Sequence, residues 1–253
     1  MVMLSTRLSA IAAKIPAGSR LADIGSDHAL LPVSLAENGT IARGIAGEVN
    51  PGPYEAAQRQ VREAGVGKLI DVRKGDGLSV LTPGEVDVIS IAGMGGSLIV
   101  SILEAHPDRL EGVNRLVLQP NVGEDQVRKY FLTHNWILSS EELLEEDGKL
   151  YEVLTADKHP DAERLNEEFY RERTIGRSCQ LDREWLLRLG PYLVEAGGVV
   201  FHSKWERELA KWRRIEKQLT ESELPASQAK REEVRHNIAK IEEVLACTGM
   251  DRR

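Results

Sequence analysis

Between Arg20 and Asp157, short runs rich in β-branched residues alternate with stretches of helical periodicity, and that alternation leaves few folds open. A strand-helix-strand order requires crossover connections, which build a mainly parallel sheet with helices on its faces. Strands are expected at 20–24, 41–47, 69–74, 86–91 and 115–119, with two more near 136–141 and 150–155. The helix expected over 30–38 ends at Gly39. The one over 52–64 has Pro51 and Pro53 at its start and Gly65 beyond its end, the usual proline-first, glycine-last asymmetry. The last two strands flank Glu145-Glu146-Asp147-Gly148-Lys149, in which Asp-Gly signals a hairpin, so one edge of the sheet should be antiparallel.

Past His159-Pro160 the sequence turns charged and helix-forming, which suggests two domains, 1–159 and 160–253. Trp205, Leu209, Trp212, Ile215 and Leu219 recur at helical spacing, as do Val234, Ile238, Ile241 and Leu245. Leu224-Pro225-Ala226-Ser227 between them supplies a stop and a restart, so an antiparallel, coiled-coil-like helical hairpin is expected. The net charge of -7 lies entirely in the first part: residues 1–159 carry 15 Lys/Arg against 22 Asp/Glu, while 160–253 carry 18 of each. A uniformly basic nucleic-acid binder is thereby excluded, though not a local basic patch. No apolar run approaches the roughly 18 residues of a membrane span. Met1 to Pro16, interrupted by Arg7 and Lys14, reads as mature protein rather than a signal segment. Two cysteines, Cys179 and Cys247, without metal-ligand spacing, fit a reducing, cytoplasmic setting with no metal.

In an open parallel sheet, ligands bind beyond the carboxyl ends of the strands. The first strand runs into Asp23-Ile24-Gly25-Ser26-Asp27-His28, where Gly25 permits a sharp turn and a close ligand approach, and the next helix, near Ala29, aims free N–H groups back at it. Taken alone, Ser26 or Asp27 capping that helix explains the turn equally well. The positions that would hold the second and third glycines of a dinucleotide fingerprint hold Asp27 and Leu30. Two carboxylates there repel a pyrophosphate but suit a ligand with an ammonium and a sulfonium, such as S-adenosylmethionine. Glu48, in Gly47-Glu48-Val49 after the second strand, stands 23 residues beyond Gly25, near the ~20-residue spacing of a ribose-binding acid. Asp76, in Gly75-Asp76-Gly77, can accept from an adenine amino group, and Ala92-Gly93-Met94 lets a ligand lie on the backbone with Met94 over a ring. Each signal is weak, but four in order at successive strand ends make a cofactor pocket.

These blocks, with Gln119-Pro120-Asn121, the Leu-Glu-Glu-Asp-Gly-Lys run at 144–149, Tyr151-Glu152 and the trailing hairpin, resemble the bacterial tRNA (adenine-N1)-methyltransferase family that modifies position 22, over nearly the whole chain. The resemblance implies a Rossmann-like class I methyltransferase fold, S-adenosylmethionine as cofactor and tRNA as partner.

Adenine N1 already presents an in-plane lone pair, so alignment and exclusion of water matter more than a general base. Asp27 is the candidate for stabilising the developing positive charge or holding the methionine ammonium, and Gln119 and Asn121 for meeting the Watson–Crick edge of an extruded base. Lys204, Arg207, Lys211 and Arg214 belong to a segment with net charge +3, suited to phosphates, although a solvated coiled-coil face is the simpler reading of the sequence alone. Arg7 is a candidate to reach RNA or to close over the cofactor. No obligate protein partner is evident. The alternatives are a small-molecule methyltransferase dimerising through its hairpin and a non-catalytic RNA-binding protein.

Overall fold

The structure, a computed structural model, describes residues 2–220 and 225–249. Its main sheet has seven strands: β1 (Arg20–Ile24), β2 (Arg43–Glu48), β3 (Ile70–Lys74), β4 (Val88–Gly95), β5 (Arg115–Val122), β6 (Trp136–Glu146) and β7 (Lys149–Lys158), in the order β3-β2-β1-β4-β5-β7-β6. β1 to β5 pair in parallel, and β7 runs against both β5 and β6. All seven expected strands form, and the antiparallel edge is present. β6 and β7 run longer than the periodicity suggests because their link is only Asp147 and Gly148, both at positive φ (51° and 72°), a two-residue turn whose twist carries the ladder to its tip.

Helices α1 (Thr6–Ala12), α2 (Leu30–Glu37), α3 (Pro51–Glu63), α4 (Gly96–Ala105) and α5 (Glu124–Thr133) precede or connect the strands. The central strands are covered on both faces, which is why Leu116, Val117 and Leu118 read as an unbroken apolar run rather than an alternating one, and why Ile89 and Ile91 are buried together with Ser90 between them. Before α1, Ser5 supplies the N-cap, its hydroxyl accepting from Leu8 N at 3.2 Å. α4 and α5 approach through glycine: a Cβ on Gly96 would lie 2.1 Å from the carbonyl oxygen of Gly123. Gly96→Ala is therefore expected to destabilise the protein by about 3 kcal/mol, the upper end of overpacking, because the obstructing atom is backbone. A urea midpoint within error of the wild type would show that the contact yields easily.

Arg128 of α5 is fully buried between Glu141 Oε1 and Glu152 Oε2, each at 2.5 Å, with both carboxylates as buried as the guanidinium. The sequence indicated nothing of this triad, since its members are 13 and 24 residues from Arg128.

The first compact unit ends at Phe169, ten residues beyond the expected boundary. The added helix, α6 (Ala162–Phe169), packs on α5 and β6, and its buried Asn166 donates from Nδ2 to the carbonyl of Trp136 at 2.9 Å. A charged surface made this segment look like the start of the second unit, but its buried face belongs to the sheet.

The second unit, from Tyr170, opens with a short hairpin that the sequence did not reveal: β8 (Arg173–Ile175) and β9 (Cys179–Leu181), three residues each and too short for a period to show. There follow α7 (Arg183–Leu189), capped by the Asp182 carboxylate at Trp185 N, then α8 (Pro191–Ala196), α9 (Val199–Thr220) and α10 (Pro225–Cys247). α9 and α10 pack together as the expected hairpin. Leu224 of the expected break lies outside the described residues, and Pro225 is the first residue of α10. Trp205, Leu209, Val234, Ile238 and Ile241 are buried, whereas Ile215 is 40% exposed and Trp212 half-buried, so the apolar seam thins along α9. Ion pairs Arg213–Glu242 and Arg235–Glu216, both 2.6 Å, join the two helices there. Among the described residues no helix is long and apolar enough to cross a membrane.

Candidate active site

The strand register sets the motifs side by side. Ile24 of β1 pairs with Gly47 of β2 and with Ile91 of β4, Glu48 pairs with Lys74, and Ala92 pairs with Gln119. Along the carboxyl edge the order is therefore Asp76, Glu48, Gly25, Gly93 and Gln119. The crossovers diverge between β1 and β4, which places the crevice over Gly25.

After Gly25 (φ 69°) the chain holds Asp27, His28 and Ala29 at φ 39°, 68° and 56°, three consecutive non-glycine residues in the left-handed region. Such backbone is disfavoured by steric contact with Cβ and clusters at functional sites. Glu48 holds it: the Asp27 N–H donates to Glu48 Oε1, while Gly25 N and Ser26 N donate to the carbonyl of Gly47 at 2.9 and 3.3 Å. Ala29, not Ser26 or Asp27, is the N-cap of α2, and no side chain caps it, so the helix N-terminus keeps free N–H groups toward the crevice.

Asp23 turns inward. It sits opposite Ser90 in the β1–β4 register, and its carboxylate oxygens accept from Ser26 Oγ at 2.5 Å and Ser90 Oγ at 2.7 Å. Burial pushes this carboxyl above its ordinary value, against the two hydroxyls and the Arg7 charge. Asp23 and Ser26 thus brace the turn from beneath, leaving Asp27 and His28 exposed on it, their side chains 3.4 Å apart. Glu48 is 5% exposed, and desolvation raises its carboxyl too, with the Asp27 N–H opposing. Among the described residues Glu48 has no other hydrogen-bond partner, so Oε2 is unshared. Asp76 is exposed and its side chain caps nothing, while Val49 is 52% exposed. Gly77 (φ 51°) faces Ile102, and a Cβ there would lie 3.1 Å from its side chain.

Met94 lies on the turn itself: a Cβ on Gly25 would be 2.1 Å from the Met94 methyl. The space that glycine opens is lined by that side chain, consistent with a thioether covering a ring-sized ligand. Ala92 is half-buried, and Gly93 (φ 78°) is exposed beside Arg7. The edge thus combines an unshared buried carboxylate, an uncapped helix start and a glycine-floored crevice. That donor set is compatible with a cofactor that has a ribose diol and a cationic methionine moiety.

A sequence profile of the tRNA (adenine(22)-N(1))-methyltransferase family matches residues 21–243. The chain belongs to that family. It is 41% identical over 222 residues to the tRNA (adenine(22)-N(1))-methyltransferase of Bacillus subtilis, covering 87% of each chain. The crystal structure of the B. subtilis M1A22 tRNA methyltransferase TrmK superposes with a TM-score of 0.85 at 39% identity, over 97% of this chain and 100% of that one. A Streptococcus pneumoniae protein solved in complex with S-adenosyl-L-methionine superposes at 0.79 with 36% identity, over 96% of this chain and 100% of that one.

Within this family frame, the Gln119-Pro120-Asn121 turn differs from expectation. Gln119 is fully buried, and its amide is taken up by protein groups: Oε1 accepts from Arg7 Nη1 at 2.8 Å and Gly93 N at 3.2 Å, while Nε2 donates to Pro120 O at 2.9 Å and Asn121 Oδ1 at 3.1 Å. It has nothing left for a base edge, and only Asn121, which is exposed, can meet one. Arg7 likewise points at Gln119 with its guanidinium over the Tyr151 ring, 5.3 Å from the centroid, rather than outward to RNA. Sequence reasoning gave no role to Glu146 or Ser90. Glu146 Oε1 accepts from the backbone N–H groups of Thr6 and Arg7, which fixes α1 at this edge. No local signal marks a contact across 140 residues.

On α9, Lys204, Arg207, Lys211 and Arg214 are spaced 3, 4 and 3 apart and so share one helix face. Lys211 is paired with Glu208 at 2.6 Å, and Lys204 lies over Trp205 at 5.5 Å. Exposed pairs of this kind are weak enough to be exchanged for phosphate.

Proposed function

We infer that this protein transfers the methyl group of S-adenosylmethionine to N1 of the adenine at position 22 of tRNA. Family membership across residues 21–243 carries the inference, and the carboxyl-edge chemistry supports it. In the step, the N1 lone pair attacks the methyl carbon, the carbon–sulfur bond breaks with its electrons going to sulfur, and the products are S-adenosylhomocysteine and a cationic 1-methyladenine. No proton need be removed, so the chain's task is positioning and charge stabilisation.

In this reading Glu48 Oε2 accepts from the ribose, Asp76 meets the adenine amino group, and Gly25, Gly77, Gly93, Ala92, Met94 and Val49 shape the crevice. Asp23 and Ser26 support the turn that carries His28 and Asp27. The exposed Asp27 carboxylate serves the methionine ammonium or the positive charge that appears on the base. The observation that favours Glu48 is a buried carboxylate with one unshared oxygen beside Gly25. Purified protein, labelled cofactor and unmodified tRNA test the activity. Label mapped to position 22, and lost when that adenine is replaced by guanine, is the expected result; label elsewhere, or none, overturns it.

The cationic face of α9 is the proposed phosphate contact. Reversing Arg207, Lys211 and Arg214 to Glu should raise the KM for tRNA and lower the slope of log affinity against log salt by about 2–3, with kcat at saturating tRNA unchanged. An unaltered salt slope would remove the helix from the RNA interface.

A further inference from the structure

Arg7, Gln119, Asn121 and Gly93 form one connected set of hydrogen bonds at the ends of β4 and β5, and elementary chemistry fixes its direction. The Arg7 guanidinium and the Gly93 N–H can only donate, so Gln119 must face them with Oε1. Its Nε2 hydrogens then go to the Pro120 carbonyl and to Asn121 Oδ1. The Gly93 carbonyl can only accept, so Asn121 gives it Nδ2, at 2.8 Å. Gly93 can serve both amides because it is the extra residue of a β-bulge: Ala92 pairs with Gln119 and Met94 with Pro120, which leaves the Gly93 N–H and C=O outside the ladder. Both lone pairs and both hydrogens of the Gln119 amide are thus used, whereas Asn121 keeps one Oδ1 lone pair and one Nδ2 hydrogen at the exposed end.

Resting on the tRNA reading above, we propose that Arg7 is a positioning residue for methyl transfer. By donating to Gln119 it holds Asn121 with Oδ1 directed to accept from the exocyclic amino group of the target adenine, which leaves N1 clear for the methyl donor. Arg7 is itself fixed from three sides: by Glu146 at the backbone N–H groups of Thr6 and Arg7, by the Ser5 cap and by the Tyr151 ring. Without its donor, Gln119 Oε1 keeps only the longer bond from the Gly93 N–H, at 3.2 Å, so one buried lone pair is left unmet and the amide is held less firmly. The exposed amide of Asn121 would then lose its fixed direction.

Arg7→Met and Arg7→Gln separate this role from a phosphate contact, since both abolish the charge and only Gln keeps an N–H donor. Arg7→Met should lower kcat on tRNA about 10–100-fold, the scale of a misplaced acceptor, at unchanged KM for tRNA and unchanged Kd for S-adenosylmethionine. Arg7→Gln should stay within a few-fold of wild type. Equal losses in both variants with a raised KM and a reduced salt slope would make Arg7 a phosphate ligand and overturn the proposal, as would a raised cofactor Kd or an unchanged kcat in Arg7→Met. Should Arg7→Met fail to fold, Arg7→Gln and Arg7→Lys serve: both keep a donor and should both stay within a few-fold of wild-type kcat, and a tenfold loss in either refutes the proposal. A wild-type enzyme inactive on tRNA would instead refute the functional reading beneath it.

Discussion

Arg128→Met is expected to destabilise the protein by about 3–5 kcal/mol, because it leaves Glu141 and Glu152 buried with no cation between them. Against a typical total of about 5–15 kcal/mol, that is enough to bring the molecule to the edge of unfolding. The same argument predicts a non-additive result. Replacing all three charges together, Arg128→Met with Glu141→Leu and Glu152→Leu, removes the desolvation cost along with the attraction and should restore most of the lost stability. Urea unfolding of the single and triple variants makes the measurement. A single variant within 1 kcal/mol of wild type would mean that water or a rearranged partner reaches the carboxylates, and the triad would then not hold α5 against the antiparallel edge.

Glu48→Gln should move binding and stability in opposite directions. Losing a charge-assisted hydrogen bond to the ribose costs about 1.5–3 kcal/mol, so the Kd for S-adenosylmethionine measured by calorimetry should rise roughly 10–150-fold. The free protein, however, should become more stable at neutral pH. Burial raises the folded carboxyl above its ordinary value of 4.5, so the folded chain holds this proton more tightly than the unfolded chain does. Stability therefore falls as pH rises through the interval above 4.5, and a neutral Gln, which still offers an oxygen to the Asp27 N–H, is free of that loss. Melting curves at pH 5 and pH 7.5 should show the variant's advantage at the higher pH only. A lower melting temperature at pH 7.5 would mean that the carboxylate is needed to hold the left-handed turn, and an unchanged cofactor Kd would remove Glu48 from the ribose.

Glu48 and Arg128 differ in how local their surroundings are. Glu48 was visible in the chain as an acid after a glycine at a strand end, 23 residues beyond Gly25, because a strand end and its turn are local features that the alternation locates. Arg128 looked like any helix arginine. Its burial depends on α5 lying against β6 and on Glu152 reaching it from β7, and nothing within its own helix encodes that.

By itself the sequence determined the seven strands of the main sheet and their succession along the chain, the Asp147-Gly148 hairpin, the helical hairpin and the strand-end turns that line the carboxyl edge. Period, turn chemistry and proline or glycine punctuation act over a few residues and are written along the chain. The tertiary structure alone decided which way the side chains at those positions face. Asp23 points inward because the β1–β4 register sets it opposite Ser90, Gln119 is closed off because α1 brings Arg7 to it across 112 residues, and the first unit extends to Phe169 because α6 hides one face on the sheet. Register and packing pair residues that are remote in sequence, so the chain carries no local mark of them. Of the polar groups at the carboxyl edge, Asp27, Asp76 and Asn121 are exposed and Glu48 keeps one oxygen unshared, while Asp23, Ser26 and Gln119 are buried in hydrogen bonds within the protein.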